Sequence, residues 1–329
     1  MKYSAIIPVY NRPDEVEELL LSLTQQTNTD FEVVIIEDGS AVPCKFVVEK
    51  YSQQLTISYF EKPNSGPGLT RNFGAERATG EYFIFFDSDC IIPNTYFEEV
   101  ERELNENRVD AFGGPDRAHP SFTNIQKAIN YSMTSFFTTG GIRGGKRKLD
   151  KFYPRSFNMG ISKKAFEATG GFAAMRFGED VDFSLRLIEN GFSTRLFPKA
   201  FVYHKRRTDF KKFFRQVFNS GKARINLHLL HPGSLKIVHL LPSAFVVGMT
   251  LLVLLSPLFV WFSLAPIVYS MLVYTDSLLS KNSLSVSFLS IAAAWVQLTG
   301  YGTGFISAFW KRLVLKQADF KVFEKNFYK

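Results

Sequence analysis

Cysteine is scarce in this chain. Only Cys44 and Cys90 occur in 329 residues, too few for a disulfide framework, which excludes a small cross-linked secreted scaffold and fits a reducing compartment. Apolar residues are also few at the front: the first run extends only from Ala5 to Val9, far short of a signal-peptide core, so export by a cleaved signal is not expected and the front of the chain is expected in the cytosol. No nucleic-acid motif accompanies the net charge of +8, so no nucleic-acid partner is expected. Charge itself is absent over two long stretches, with no Asp, Glu, Lys or Arg from Val238 to Thr275 or from Asn282 to Trp310.

The charge that is present is divided unevenly. Residues 1–110 hold 9 Lys/Arg against 20 Asp/Glu, whereas residues 111–329 hold 30 against 11. A basic C-terminal part with uncharged runs points to an anionic membrane surface. Each run exceeds the roughly 20 residues that one helical crossing needs. The first is expected to form a hairpin turning near Ser256-Pro257 and the second a single span. Residues 195–224 carry ten Lys/Arg against Asp209 alone, a cytoplasmic flank in which Phe210 to Val217 reads as an amphipathic helix. Residues 311–329 hold six Lys/Arg against Asp319 and Glu324, which argues for the same side. Both ends inside require an even number of crossings, so Ser263 to Leu279, with Pro266, is the segment expected to be interfacial or re-entrant. A buried helical domain is the alternative.

The front of the chain alternates apolar runs with helical patterns. Tyr3 to Val9, Phe31 to Ile36, Leu55 to Phe60 and Tyr82 to Phe86 read as strands buried on both faces, with helices at Pro13, Pro43 to Tyr51 and after Gly68, the pattern of a parallel doubly wound sheet. Acid lies at the strand ends: Glu37-Asp38-Gly39-Ser40 after the second and Asp87-Ser88-Asp89 after the fourth. Two carboxylates at i and i+2 repel each other unless a divalent cation lies between them and a diphosphate; a solvated turn is the plainer alternative. Asn64-Ser65-Gly66-Pro67-Gly68 allows close backbone approach, and Arg71-Asn72 are expected in the first turn of the next helix, where an anion is well met. Residues 115–155 read as a mobile loop, functional lid or otherwise. Phe177-Gly178-Glu179-Asp180-Val181-Asp182 opens a further helix with three acids in its first turns, which would also suit the helix dipole. His204 ends a short strand and, if near Asp89, would suit Mn²⁺ better than Mg²⁺.

Taken in order, Pro8-Val9-Tyr10-Asn11-Arg12, Glu37-Asp38-Gly39-Ser40, Gly66-Pro67-Gly68 with Arg71-Asn72, Asp87-Ser88-Asp89, Asn158-Met159-Gly160 and Gly178-Glu179-Asp180 resemble the motif series of a family 2 glycosyltransferase over about residues 1–225. The resemblance implies the GT-A nucleotide-diphospho-sugar transferase fold, a mostly parallel α/β sheet with flanking helices, here followed by C-terminal transmembrane helices. Together with the uncharged runs and the basic flank, it leads us to expect a cytosolic catalytic domain over 1–230 and a membrane-anchoring helical region with a basic tail over 231–329, in a multi-pass cell-membrane protein whose catalytic domain faces the cytoplasm. It also implies that Asp180 is the catalytic base. Pro8, Asp38, Arg71 and Asp87 would bind the donor nucleotide, Asp89, Asp87 and His204 would hold Mg²⁺ or Mn²⁺, and Asn158 and Glu179 would lie on the acceptor side.

The implied reaction is inverting, metal-dependent transfer of the hexosyltransferase type, in surface polysaccharide or glycan biosynthesis. A nucleotide-sugar donor would pass its sugar to a lipid-linked or membrane-proximal glycan. The Gln-x-x-Arg-Trp motif of processive synthases in that family is absent after Asp180, which favours transfer of a single sugar. A nucleotidyltransferase and a catalytically inactive membrane scaffold are the rival readings. Donor base, sugar and acceptor depend on pocket shape and are not legible.

Overall fold

The computed structural model describes residues 2–140, 152–175 and 177–317. Along the front of the chain run β1 (Tyr3–Val9), α1 (Pro13–Thr24), β2 (Phe31–Asp38), α2 (Lys45–Tyr51), β3 (Ile57–Lys62), α3 (Pro67–Ala75), β4 (Tyr82–Phe86), β5 (Cys90–Ile91), α4 (Tyr96–Glu106), β6 (Ala111–Gly113) and β7 (Asp116–Arg117). Next come α5 (Asn124–Thr134), α6 (Phe136–Thr139), β8 (Asn158–Ser162), α7 (Lys163–Thr169), α8 (Glu179–Glu189), β9 (Thr194–Leu196) and β10 (Val202–His204). The chain continues through α9 (Phe210–Leu230), α10 (Leu241–Leu255), α11 (Leu264–Leu279) and α12 (Leu284–Phe309). Among the described residues, 2–117 with 152–204 form one compact unit, and 118–140 with 205–317 form another.

The first unit is the α/β one. Among the described residues its main sheet has seven strands in the order β3-β2-β1-β4-β8-β6-β9. β1 to β4 are mutually parallel, and β8 enters antiparallel between β4 and β6. Side chains alternate across β1, so Tyr3, Ala5, Ile7 and Val9 pack with α1, α2 and α4 on one face, while Ile6 packs with α3, α7 and α8 on the other. Both faces are covered, which is why every residue of β4 is buried. Burial of each such Phe or Ile is worth roughly 1.5–3 kcal/mol. β8 fits its slot because Gly160 has no side chain: a Cβ there would come within 2.0 Å of the Phe112 ring. Parallel register leaves the C-terminal ends of β1, β2 and β4 on one edge, where ligands bind in open α/β sheets. A second sheet, β5-β10-β7, pairs His204 with Cys90.

The middle of the chain departs from two expectations. Residues 115–155 read as a mobile loop, yet β7, α5 and α6 lie within that span; residues 141–151, including most of its Gly- and Lys-rich part, lie outside the described residues. α5 forms because Thr123 and Gln126 close a capping box, and Ala128, Ile129 and Met133 give it an apolar face against Phe213, Val286 and Ala293. The amphipathic segment expected over Phe210 to Val217 is the start of a 21-residue helix, α9.

The expected hairpin is present as α10 and α11, while Val260–Leu279 and Leu284–Val314 are each long and apolar enough to cross a membrane. Leu241–Leu255 is the shorter apolar helix, so length alone does not single out Ser263 to Leu279 as the interfacial or re-entrant segment. The basic tail beyond residue 317 lies outside the described residues.

Candidate active site

The loop after β1 aims the first cation. Asn11 takes a positive φ of 53° and its carboxamide oxygen accepts from the backbone N–H of Ala41 at 2.7 Å and of Val42 at 3.0 Å. So anchored, the turn directs Arg12 onto Asp89, with which it forms an ion pair. Asp89 also lies 3.1 Å from His204 Nε2, and the same imidazole nitrogen is 3.8 Å from Asp87. The β5–β10 register brings His204 there, from more than a hundred residues away in sequence.

Arg71 extends the network. It falls in the second turn of α3, because that helix begins at Pro67, and not in the first turn as its sequence suggested. Its guanidinium is only 3% exposed and bridges Asp87 at 2.7 Å and Glu179 at 3.2 Å. α8 begins after Gly178, whose φ of 86° belongs to the left-handed region. That start places Asp180 against Arg155, 2.6 Å from its Nε. The third acid, Asp182, turns away to Arg186 at 2.8 Å. Acids and bases thus alternate through Arg12, Asp89, His204, Asp87, Arg71 and Glu179, and the neighbouring Asp180 pairs with Arg155.

Burial and neighbours set the protonation of these groups. Burial alone would raise Asp89, but His204 and then Arg12 outweigh it and hold the carboxyl far below its usual range. Asp180 is likewise lowered despite burial, by Arg155 and then Arg71. Glu179 moves the other way: burial first, then the adjacent Asp180 charge, push it up to about 7 against the pull of Arg71. Cys90, whose Sγ shares a cluster within 4.8 Å with ligand atoms of Asp89 and His204, is raised well above its ordinary value by burial. Its thiol stays protonated beside the two carboxylates. Carboxylate oxygens with one imidazole nitrogen form a donor set that fits Mn²⁺ or Mg²⁺.

Other expected residues serve the frame. Asp38 is 2% exposed, and its carboxylate accepts from the backbone N–H of Ser65 and of Gly66, both at 2.9 Å, and from Lys62 at 2.6 Å. It fixes the Gly66 loop that leads into α3. Pro8 lies near the C-terminal end of β1, opposite Ile36.

Asn158, expected on the acceptor side, has no exposed surface. Its carboxamide accepts from Tyr96 Oη at 2.5 Å and donates to the Ala200 carbonyl at 2.8 Å, so it is an interior strut. Asn72 clamps the chain before α8, since its amide both donates to and accepts from the Phe172 backbone at 2.8 Å. Lys62, Cys90 and Arg155 escaped the sequence reading. Lys62 and Cys90 could have been marked by their positions at strand ends beside acids, but nothing local marks Arg155.

Comparisons with known proteins agree with this geometry. The model of the family described as Glycosyl transferase family 2 matches residues 4–178. An uncharacterized glycosyltransferase of Rickettsia felis is 34% identical over 143 residues, covering 43% of this chain but only 23% of that protein, so the match spans about a quarter of its length. Glycosyltransferase AglE of Haloferax volcanii is 26% identical over 262 residues, 74% of this chain and 80% of its own. Among solved structures, the mannosyltransferase PcManGT of Pyrobaculum calidifontis, in complex with GDP-Man and Mn²⁺, superposes with a TM-score of 0.64 at 15% identity, covering 94% of this chain and 88% of its own. That likeness is one of fold, the GT-A arrangement of sheet and helices.

Proposed function

Because the chain belongs to glycosyl transferase family 2, we propose that it is an inverting, metal-dependent transferase that moves one sugar from a nucleoside-diphosphate donor to a lipid-linked or membrane-proximal glycan. The observation that carries this reading is the convergence of Asp87, Asp89 and His204 with Arg71, Glu179 and Asp180 at one edge of the sheet. The known complex of PcManGT with GDP-Man and Mn²⁺ supports the donor class and the cation.

Asp87, Asp89 and His204 would hold Mg²⁺ or Mn²⁺, which when bound supplies positive charge to the departing diphosphate. Arg71, held by Asp87 and Glu179, adds a fixed cation at that edge, already ordered before the donor arrives. Pro8 and the Asp38-braced Gly66 loop form the adjoining floor for the nucleoside. Asp180 stays ionised beside Arg155 and accepts the acceptor hydroxyl's proton as its oxygen attacks the anomeric carbon from the face opposite the leaving group. One displacement from that face inverts the configuration. Glu179 supports this arrangement from the acceptor side through Arg71. The helical unit would keep the enzyme at the membrane beside its acceptor, with the catalytic unit on the cytoplasmic side. The long apolar helices support membrane attachment by length and composition.

The test is calorimetric titration of detergent-solubilised full chain with UDP, GDP and dTDP, each with and without Mn²⁺, followed by product analysis. Metal-dependent binding of one nucleotide, with a nucleoside diphosphate as product, is expected. Release of pyrophosphate would move the chain to nucleotidyl transfer, and no binding at all would remove the donor site.

A further inference from the structure

We propose that the chain does not cross the membrane but seats in one leaflet of an anionic phospholipid bilayer through a re-entrant hairpin formed by α10 and α11. The inference rests on the membrane part of the reading above and is independent of the transfer reaction.

α12 is long enough to span, at 26 residues or about 39 Å. Its neighbours exclude that role. A Cβ on Gly221 of α9 would fall 2.2 Å from the Tyr301 carbonyl, and one on Gly304 of α12 would fall 2.1 Å from that of Phe218. Gly300 meets Val217, and Ile225 packs with Phe305 and Ala308. Residue numbers rise together along both helices, so α9 runs parallel to and in contact with α12. This alignment sets Lys211, Lys212, Arg215, Lys222 and Arg224 beside the C-terminal half of α12, and the first three are exposed. Were α12 to cross, those cations would be carried into hydrocarbon beside it. On another side α12 packs against α5, through Ile129 and Met133. It is a core helix of its unit.

The hairpin has the opposite character. No charge lies between Val238 and Thr275, and Leu254, Leu258 and Trp261 are 67%, 73% and 75% exposed. α10 has 15 residues, about 22 Å, short of the roughly 30 Å hydrocarbon core, and the longer stretch Val260–Leu279 reaches that thickness only if Asp276 enters the hydrocarbon. The base of α11 is pinned in polar surroundings, where the Asp276 carboxylate accepts from Tyr131 Oη at 2.5 Å and Ser135 Oγ at 3.0 Å. From Asp276 to the start of α11 is about 18 Å, so with Asp276 held among the headgroups the turn of the hairpin reaches no farther than about the bilayer centre. Residues 205–317 hold 13 Lys/Arg against Asp209 and Asp276, a charge that suits anionic headgroups around such an insertion. This seating also satisfies the sequence requirement for both ends on one side, with no crossings.

Cys44 and Cys90 are buried, so a single introduced cysteine can be read in the full chain. In membrane vesicles of both orientations, a membrane-impermeant maleimide should reach Ser52→Cys, Ser280→Cys and Gln317→Cys from the same side. Leu258→Cys should be reached from neither side and, carrying a fluorophore, should be quenched by nitroxides placed deep in the acyl chains, near the bilayer centre. Labelling of any of the last three from the side opposite Ser52→Cys would overturn the hairpin while leaving membrane attachment intact. A chain found wholly in the aqueous fraction would overturn attachment and hairpin together. The double variant Leu258→Asp/Trp261→Asp should bind vesicles of phosphatidylcholine with about a quarter phosphatidylglycerol at least roughly tenfold more weakly. Unchanged binding would also overturn the proposal. Loss of sugar transfer without change in labelling would count against the proposed reaction alone.

Discussion

Tyr82–Phe86 and the stretch from Leu251 to Trp261 are both strongly apolar, but they end in different surroundings. Every residue of the first is buried beneath helices on both faces of the sheet, whereas the second leaves Leu254, Leu258 and Trp261 more than two-thirds exposed. The difference lies in what interrupts the apolar run. After Phe86 the chain delivers Asp87 and Asp89 to a network of cations; after Leu255 it turns and continues uncharged to Thr275. The α/β unit therefore completes its hydrophobic burial with its own residues, while the hairpin presents surface that water does not favour.

The sharpest way to break this contrast is to remove the charge that ends β4. Asp89→Ala should abolish metal-dependent nucleotide binding and lower turnover by about 10³-fold or more, measured by calorimetry and product formation. Asp180→Asn should retain donor binding and lose about 10²–10⁴-fold in turnover. Normal turnover in the second variant would take the base role away from Asp180.

The completeness of the α/β interior is tested next. A Cβ at Gly114 would fall 1.6 Å from the Ala200 carbonyl, so Gly114→Ala should cost about 3 kcal/mol in urea unfolding, because backbone must move. The same exchange at Gly248 of α10, where nothing lies within 4 Å, should leave stability nearly unchanged.

A smaller effect concerns Glu179. Its folded value is raised from 4.5 to about 7, so the folded state binds a proton more tightly than the unfolded chain. The resulting stability is complete below pH 4.5 and is lost as pH rises through 7. In chelator-treated protein, Glu179→Gln should remove roughly 1–3 kcal/mol of decline across that window. A slope identical to that of the unmodified chain would show that Glu179 does not cause it. Smallest of all, Tyr131→Phe removes one donor from Asp276 and should destabilise the helical unit by about 1 kcal/mol, read from its thermal unfolding.

What was legible in the sequence was local. The strands β1 to β4, the acids at their ends and the glycines around α3 each have a short-range signature, and the sheet edge follows from parallel pairing. Arg71 lies in the helix that its sequence context predicts but one turn further along, since Pro67 starts the helix earlier than Gly68 suggests. The partners were not legible. Arg12 meets Asp89 across 77 residues and Arg155 meets Asp180 across 25, and no periodicity records such pairings. α5 was missed because its apolar positions are interleaved with Asn124, Gln126, Lys127 and Asn130, and its burial depends on residues much later in the chain. Asn158 carries a polar side chain within a motif, but sequence alone does not tell a strut from a contact residue.

The joining of Tyr131 to Asp276 bears on how the chain is made. The two are 145 residues apart, and the last third or so of the α/β unit is translated between them. At a synthesis rate of about 5–20 residues per second, α5 waits about 10–30 s before the helices that cover Ile129 and Met133 emerge from the ribosome. During that interval it is an apolar segment without its partner, and the unit that flanks it in sequence is likewise unfinished. Neither unit can be completed until part of the other has been translated, and slowing elongation near residue 205 would prolong the period in which the nascent chain is open to chaperones and proteases.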